Sequence, residues 1–283
     1  MNYLLKMAKL VKFEHTIFSM PFIFVAMIVA ANGWFGFKLL FLVVLEAIFA
    51  RNFAMGVNRY LDKDIDAQNE RTKDRPSVNG EVSVSEMKTF IIANAFGFIF
   101  IAYFINSLVF YSSPFILAVL GGYSYFKRFS EYAHLILGIS LGLAPIGGAM
   151  AVLGSVPEWS VFLAFGVLFW VAGFDILYSL QDMEFDKEKG LFSIPAKYGL
   201  EASLSLSALF HILTIVFWYL FIFYTHLGFF AYLALFISAG FLWYEQHLVR
   251  TNLDNIPKAF FDLNGYLGVI FFVLILLDRM ING

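Results

Sequence analysis

Between Thr89 and Phe126 the chain runs for 38 residues without an Asp, Glu, Lys or Arg, and between Ser203 and Tyr244 it does so for 42. About 20 mostly apolar residues cross roughly 30 Å of hydrocarbon as a helix, so each run is too long for one crossing and long enough for two. The first is interrupted at Asn106-Ser107 and at Ser112-Ser113-Pro114, the second at Thr225-His226-Leu227-Gly228, and each is predicted to form two helices joined by a tight turn. Soluble domains carry about 25% charged residues. Here only 14% are charged and 60% are hydrophobic, so the excess apolar surface has to face lipid. Adding the remaining apolar runs gives nine predicted spans, near 16–32, 37–60, 89–106, 109–126, 133–153, 159–180, 203–224, 228–246 and 259–277. The expected fold class is therefore all-α, a polytopic membrane protein. The whole chain, 1–283, reads as a single transmembrane domain with a weak internal repeat over 1–130 and 131–250.

The distribution of positive charge tests that count, because misplaced spans would scatter Lys and Arg over both sides. Nine spans put Lys6, Lys9, Lys12, Arg59, Lys63, Arg71, Lys73, Arg75, Lys88, Lys127, Arg128, Lys187, Lys189, Lys197, Arg250 and Lys258 on the side of the amino terminus, 16 of the 19 basic residues. Lys38 and Arg279 fall on the other side, and Arg51 lies within the second span. The expected localisation is a cell (inner) membrane, with the amino terminus cytoplasmic and the carboxyl terminus outside. Val29-Ala30-Ala31 imitates a signal-peptide cleavage site, but the spans that follow keep the chain in the membrane either way. A net charge of −2 without a polybasic tail leaves no footprint for nucleic acid, and the absence of cysteine excludes a disulfide scaffold or a thiolate metal site.

Connections on the outer side are short, whereas two on the cytoplasmic side, roughly 61–88 and 181–202, are long and hold most of the polar side chains. Long connections in compact proteins are where function concentrates. In the first, Asn58, Asp62 and Asp66 stand four residues apart, a spacing that puts them on one helical face, each about 6 Å further along the axis. Arg51 extends this stripe backwards. In the second, Tyr178, Asp182 and Asp186 repeat the spacing, offset by 120 residues at every position. Asp64 and Glu184 break the spacing and read as surface acids.

Converging carboxylates repel one another unless a cation sits between them. Oxygen donors without Cys or a His cluster suit a hard ion such as Mg²⁺, which takes one or two carboxylates and leaves the rest to water and substrate phosphate. The predicted metal ligands are Asp62, Asp66, Asp182 and Asp186. Arg71, Lys73, Arg75, Lys127, Arg128, Lys187 and Lys189 stand beside these acids and would neutralise phosphate charge. With an apolar chamber behind, a diphosphate head on a long hydrocarbon tail fits better than a nucleotide, and no phosphate-binding glycine pattern is present.

Asn58-x₃-Asp62-x₃-Asp66 followed by Asn69-x-Arg71-Thr72-x₂-Arg75-Pro76 resembles the first aspartate-rich motif of UbiA-type membrane prenyltransferases. Asp175-x₂-Tyr178-x₃-Asp182-x₃-Asp186, with Gly190-x₂-Ser193-Ile194-Pro195 after it, is similar to the second. Lys12-Phe13-Glu14-His15-Thr16-Ile17-Phe18, Tyr123-Ser124-Tyr125-Phe126-Lys127-Arg128, Leu143-Ala144-Pro145 and Asn264-x₃-Gly268 extend the likeness over nearly the whole chain, in family order. It is closest to the 4-hydroxybenzoate polyprenyltransferase branch and its menaquinone-pathway relatives. One departure is Arg59, where many members carry an Asp directly after the Asn.

The resemblance implies a bundle of nine transmembrane helices around a central cavity that opens to lipid, with both motifs at its cytoplasmic end. It implies Mg²⁺ as cofactor, and polyprenyl diphosphate and an aromatic acid as partners. Ionisation of the allylic C–O bond, with attack by an acceptor such as 4-hydroxybenzoate or a dihydroxynaphthoate, would serve ubiquinone or menaquinone biosynthesis. Phe, Tyr and Trp faces would stabilise the allylic cation, each by about 0.5–2 kcal/mol.

Asp175 lies one turn deeper than Tyr178, where an unpaired acid costs about 2.5–3.5 kcal/mol. Together with Tyr178 and Asp182 it is a catalytic candidate, with orientation of the acceptor hydroxyl as its role. The substrate-binding candidates are Asn58, Arg51 and the seven basic residues named above. Arg51 fits either a structural ion pair or an anionic substrate group. Lys127-Arg128 could be topology markers alone, but by resemblance Arg128 is the preferred contact for an acceptor carboxylate. His15, His134, His211 and His226 lack metal-ligand spacing and read as structural, and Asn264 and Gly268 as helix-packing residues. Two rivals stand beside this reading. An ion-coupled secondary transporter also has inward acids and an internal repeat, but its acids belong near the bilayer midplane. A relative that prenylates haem, chlorophyllide or a lipid phosphate would differ only in the acceptor.

Overall fold

The computed structural model describes residues 3–11 and 20–282. The order of helices is α1 (Tyr3–Val11), α2 (Met20–Ala31), α3 (Phe37–Leu61), α4 (Lys63–Asp66), α5 (Val84–Ile105), α6 (Ser107–Phe126), α7 (Ala133–Leu153), α8 (Glu158–Ser179), α9 (Met183–Lys189), α10 (Ile194–Tyr224), α11 (Phe229–Thr251), α12 (Ile256–Lys258) and α13 (Asn264–Asn282). A 3₁₀ turn, Leu180–Asp182, joins α8 to α9, and a π-turn, Ala259–Leu263, leads into α13. The fold is all-α, and the described residues hold no strand.

Seven helical stretches are long and apolar enough to cross a membrane: Phe37–Leu61, Val84–Ile105, Ser107–Phe126, Ala133–Leu153, Glu158–Lys189, Ile194–Tyr224 and Leu253–Asn282. The other two predicted spans meet α2, apolar but 12 residues long, and α11, whose last turns carry Glu245, Gln246, His247 and Arg250. The motif stretch Lys12–Phe18 lies outside the described residues. Many aromatic side chains point away from the protein, among them Phe96, Phe115 and Phe236, each more than 60% exposed. A helical chain satisfies its own backbone hydrogen bonds, so such faces need only hydrocarbon around them.

Contacts group the chain into two compact units, 1–17 with 37–125 and 18–36 with 126–283. In the first, α3 packs on α5 so closely that the Phe49 ring fills the space beside Gly97. Met7, Leu10, Val82 and Met87 form a small buried cluster there, with Tyr60 and Phe90 against it. The break at Asn106 separates α5 from α6. The Asn106 side chain accepts the Val109 N–H (3.0 Å), so the second helix starts on a side-chain cap. Ser112-Ser113-Pro114 does not interrupt the fold as predicted, because Pro114 lies within α6. Proline removes the N–H that the Phe110 carbonyl needs, and the Ser113 hydroxyl donates to that carbonyl instead (2.7 Å).

In the second unit α8 is central, packed by α7 and α10. Its core is aromatic: Phe22 lies 5.1 Å from both Trp170 and Trp218, and Trp218 lies 4.7 Å from Phe271. Residues 181–202, predicted as a long loop, are mostly helix. Ser193 caps α10 by accepting the Ala196 N–H, and Gly199 (φ 79°) breaks α10 near its start, a backbone that side-chain-bearing residues rarely adopt. At the far end Asp278 of α13 accepts the N–H groups of Gly228 (2.7 Å), Phe230 (3.0 Å) and Ala231 (3.3 Å), supplying partners to the start of α11.

Candidate active site

In the first unit α3 ends at Leu61 and α4 begins at Lys63, with Asp62 between them in a non-helical backbone (φ −88°, ψ 2°). The four-residue rhythm survives the break. The Asp62 N–H donates to the Asn58 carbonyl (2.9 Å) and the Asp66 N–H to the Asp62 carbonyl (2.7 Å). Asn58 donates from Nδ2 to Asp62 Oδ2 (2.8 Å) and to Ser124 Oγ (3.2 Å). Asp62 and Asp66 are only 2% and 4% exposed. A buried carboxylate is costly unless paired, and Arg75 answers Asp66 by donating from Nη1 to both carboxylate oxygens at 2.6 Å. The Thr72 hydroxyl, donating to the Asp66 carbonyl (3.0 Å), folds the 67–75 turn back onto the stripe.

Arg59, the departure from the family pattern, is buried and donates to the Asn58 side chain (2.9 Å) and to the Leu10 carbonyl (3.3 Å). It thus orients the Asn that holds Asp62. Arg51 lies half-buried in α3, two turns before Asn58. Arg71 is exposed, and Lys73 is exposed and paired with Glu70, whose hydrogen bond raises the lysine above its ordinary range. At the rim of this unit Lys9 pairs with Glu81 (2.8 Å) and holds that carboxylate below its ordinary range.

In the second unit Asp175 is half-buried near the end of α8, and its Oδ2 lies 2.7 Å from His134 Nδ1. The Ile194 N–H donates to His134 Nε2 (3.4 Å). The Tyr178 ring packs on Phe260, with centroids 4.2 Å apart, and meets Phe261 edge-on. Asp182 closes the 3₁₀ turn in a backbone (φ −104°, ψ 4°) close to that of Asp62, so the second stripe breaks at the same position as the first. Bridge-region backbones of this kind occur at turns as well as at active sites, and Tyr132 and Thr225 at helix ends share them. Asp186 is half-buried, with Ser193, Asp182, Lys127 and His134 close enough to act on its carboxylate. The Phe192 N–H donates to the Lys127 carbonyl (2.9 Å), which fixes the connection before α7 to the turn after α9. Arg128 follows, half-buried. Lys187 and Lys189 are exposed, with Lys187 paired to Glu184 (2.9 Å), and Asp64 and Glu184 are exposed as expected of surface acids.

Two features are absent from the sequence reading. One is the His134–Asp175 pair. The other is a buried network behind Tyr178, in which the Trp170 indole donates to Asn264 (2.6 Å) and Asn264 donates to Glu245 (3.0 Å) and to the Ala259 and Phe260 carbonyls (3.2 and 3.3 Å). Asn264 therefore supplies a donor to carbonyls of the π-turn that seats Phe260 against Tyr178, a role beyond helix packing. No spacing rule joins residues so far apart in sequence. The only signal was polarity inside or at the end of an apolar run.

Among the described residues no group of three or more His, Cys, Asp or Glu side chains is drawn together closely enough to hold a metal ion by itself. Each four-residue stripe offers two carboxylates, Asp62 with Asp66 and Asp182 with Asp186, a set that matches the one or two carboxylates Mg²⁺ takes before phosphate and water complete its shell.

A model of the UbiA prenyltransferase family matches residues 19–275. The chain is 29% identical to a 4-hydroxybenzoate octaprenyltransferase of Hahella chejuensis, over 89% of this chain and 84% of the relative. The solved apo structure of a UbiA homolog from Aeropyrum pernix is similar with a TM-score of 0.86 and 31% identity, covering 94% of this chain and 98% of that one. A UbiA homolog from Archaeoglobus fulgidus, solved with GPP and Mg²⁺, has the same fold at 19% identity (TM-score 0.75, 95% and 99% covered).

Proposed function

Because the chain belongs to the UbiA prenyltransferase family, we propose that it transfers a polyprenyl group from polyprenyl diphosphate to the ring of an aromatic acid. The acceptor is 4-hydroxybenzoate or a dihydroxynaphthoate, in ubiquinone or menaquinone biosynthesis. The allylic C–O bond breaks, diphosphate leaves, a ring carbon bonds to the prenyl C1, and the ring loses a proton. The observation that carries this reading is the repeated acidic stripe, broken at Asp62 and again at Asp182 in nearly the same backbone. The curated Hahella relative, named for this activity, supports it. Family membership also decides against the transporter.

Asp62, Asp66, Asp182 and Asp186 are the proposed Mg²⁺ ligands, and bound Mg²⁺ would supply Lewis-acid stabilisation of the departing diphosphate. Asn58 holds Asp62 in place. Arg75, already beside Asp66, is suited to share its charge between that acid and a phosphate oxygen, and Arg51, Arg71, Lys73, Lys127, Lys187 and Lys189 add positive potential for the same anion. Asp175 accepts the acceptor's hydroxyl, Arg128 grips its carboxylate, and Tyr178 presents an aromatic face to the allylic cation. The apolar surroundings delay capture of that cation by water. The site is cytoplasmic in an inner membrane.

Asp62→Ala and Asp182→Ala are each expected to abolish transfer, at least about a thousandfold in kcat if a metal clamp is lost, while the protein still inserts into the membrane. Incubation of purified protein with Mg²⁺, labelled polyprenyl diphosphate and a panel of aromatic acids, with products identified by mass, reads this directly. Near-normal turnover in either variant overturns the metal assignment.

A further inference from the structure

We propose that His134 is a positioning residue that fixes the Asp175 carboxylate for the acceptor's hydroxyl. This rests on the reading of Asp175 given above, but the geometry stands by itself. A backbone N–H can only donate, so the Ile194 N–H, 3.4 Å from His134 Nε2, requires a lone pair on that nitrogen. The ring proton is therefore on Nδ1, 2.7 Å from Asp175 Oδ2, and His134 donates to the carboxylate as a neutral imidazole. His134 and Ile194 are 4% and 2% exposed, so water is not available to replace either partner.

The arrangement is rigid at both ends. Ile194 opens α10 directly after its cap, Ser193, and is followed by Pro195, and its N–H is one of those that a helix start leaves without an internal acceptor. His134 is the second residue of α7. One imidazole thus ties the starts of two helices to a side chain near the end of a third. With Oδ2 engaged, Oδ1 of Asp175 takes no hydrogen bond among the described residues and is the oxygen left for a substrate hydroxyl. The His134 bond stops the carboxylate from rotating and exchanging its two oxygens, so that Oδ1 keeps one direction, as preorganisation of a catalytic group requires.

A purely structural role for His134, pinning the start of α10, makes a different demand on the ring. Asn at this position places its amide nitrogen near the site of Nδ1 and keeps the donor to Asp175 while abandoning Ile194. Gln places its oxygen near Nε2, keeps Ile194 and abandons Asp175. We expect His134→Asn to retain kcat within about threefold and His134→Gln to lose about tenfold to a hundredfold, the worth of a hydrogen bond to a charged group. The KM for polyprenyl diphosphate should stay unchanged in both. The opposite ranking, or an Asp175→Asn variant with undiminished kcat, overturns the proposal.

A second measurement does not depend on turnover. In full-length protein labelled with ¹⁵N-histidine and held in lipid nanodiscs, the His134 signals, identified by their loss in His134→Asn, should report a protonated Nδ1 and an unprotonated Nε2. Asp175→Asn should shift the Nδ1 signal. An Nε2-protonated ring overturns the proposal. A wild-type protein that transfers no prenyl group but shows the Nδ1 tautomer refutes the function proposed above and leaves the pair standing.

Discussion

Arg128 shows how much one side chain is asked to do. It sits half-buried in the short connection between α6 and α7, and the neighbouring Lys127 carbonyl is held by Phe192, so the segment that carries it is anchored rather than free to swing. A guanidinium on such a mount can meet a carboxylate with two parallel hydrogen bonds, which an ammonium cannot do. Arg128→Ala is expected to raise the KM for the aromatic acid by about tenfold to a hundredfold, the equivalent of about 1.5–3 kcal/mol, and to change the KM for polyprenyl diphosphate by less than about threefold. Arg128→Lys should recover only part of the loss. Steady-state kinetics with each substrate varied in turn checks this, and an equal rise in both KM values would mean that Arg128 serves the diphosphate instead. The acids were legible in the sequence because a four-residue spacing is itself a geometric statement about a helix. His134 was not, because its partners lie 41 and 60 residues away and only the packing of α7, α8 and α10 brings them to it.

Between elements, one close approach that positions the second motif is that of α7 against α8. Gly138 and Gly142, one turn apart on α7, both face α8, and a methyl group built on them would lie 2.4 Å from the Leu168 carbonyl oxygen and 2.9 Å from that of Ala164. Both obstacles are backbone, which cannot rotate aside. Small residues at this spacing let two membrane helices approach until their backbones touch, where dispersion takes the place of a hydrophobic driving force. Gly138→Ala should therefore push α7 off α8 and lower stability by about 1–3 kcal/mol, the usual cost of overpacking, seen as a lower Tm in detergent. Because α7 carries His134 and α8 carries Asp175, kcat should fall as well. Ala at Gly147, where nothing lies within 4 Å, is the control and should leave both unchanged. Seven of the nine predicted spans meet helices long and apolar enough to cross a membrane and the other two meet α2 and α11, since a mostly apolar run of the right length has little else to become in lipid. The breaks were less legible. Pro114 reads as a stop, yet a neighbouring hydroxyl repairs its hydrogen-bond deficit, while the breaks at Asp62 and Asp182 carry neither Gly nor Pro to announce them.

The charge distribution along the chain sets a definite expectation for which way it faces in the membrane. By the positive-inside rule, the 16 to 2 division of Lys and Arg predicts a cytoplasmic second motif. α8 makes a clean test because it belongs to one compact unit and is long and apolar enough to cross the membrane. Exposed Ser155 lies just before its start, and exposed Glu188 lies in α9, beyond its end. The chain contains no cysteine, so a single introduced thiol is the only one a maleimide can find. Ser155→Cys should react with a membrane-impermeant maleimide in intact cells, and Glu188→Cys only after the membrane is opened. Neither position is in the proposed catalytic machinery, so prenyl transfer by both variants should stay near the wild-type rate and certify that the labelled molecules are folded. The reverse pattern would put the motif outside, where the positive-inside bias could not have placed it. Labelling of both sites from the same side would mean that α8 does not cross, and the topology built on it would then fail at that helix.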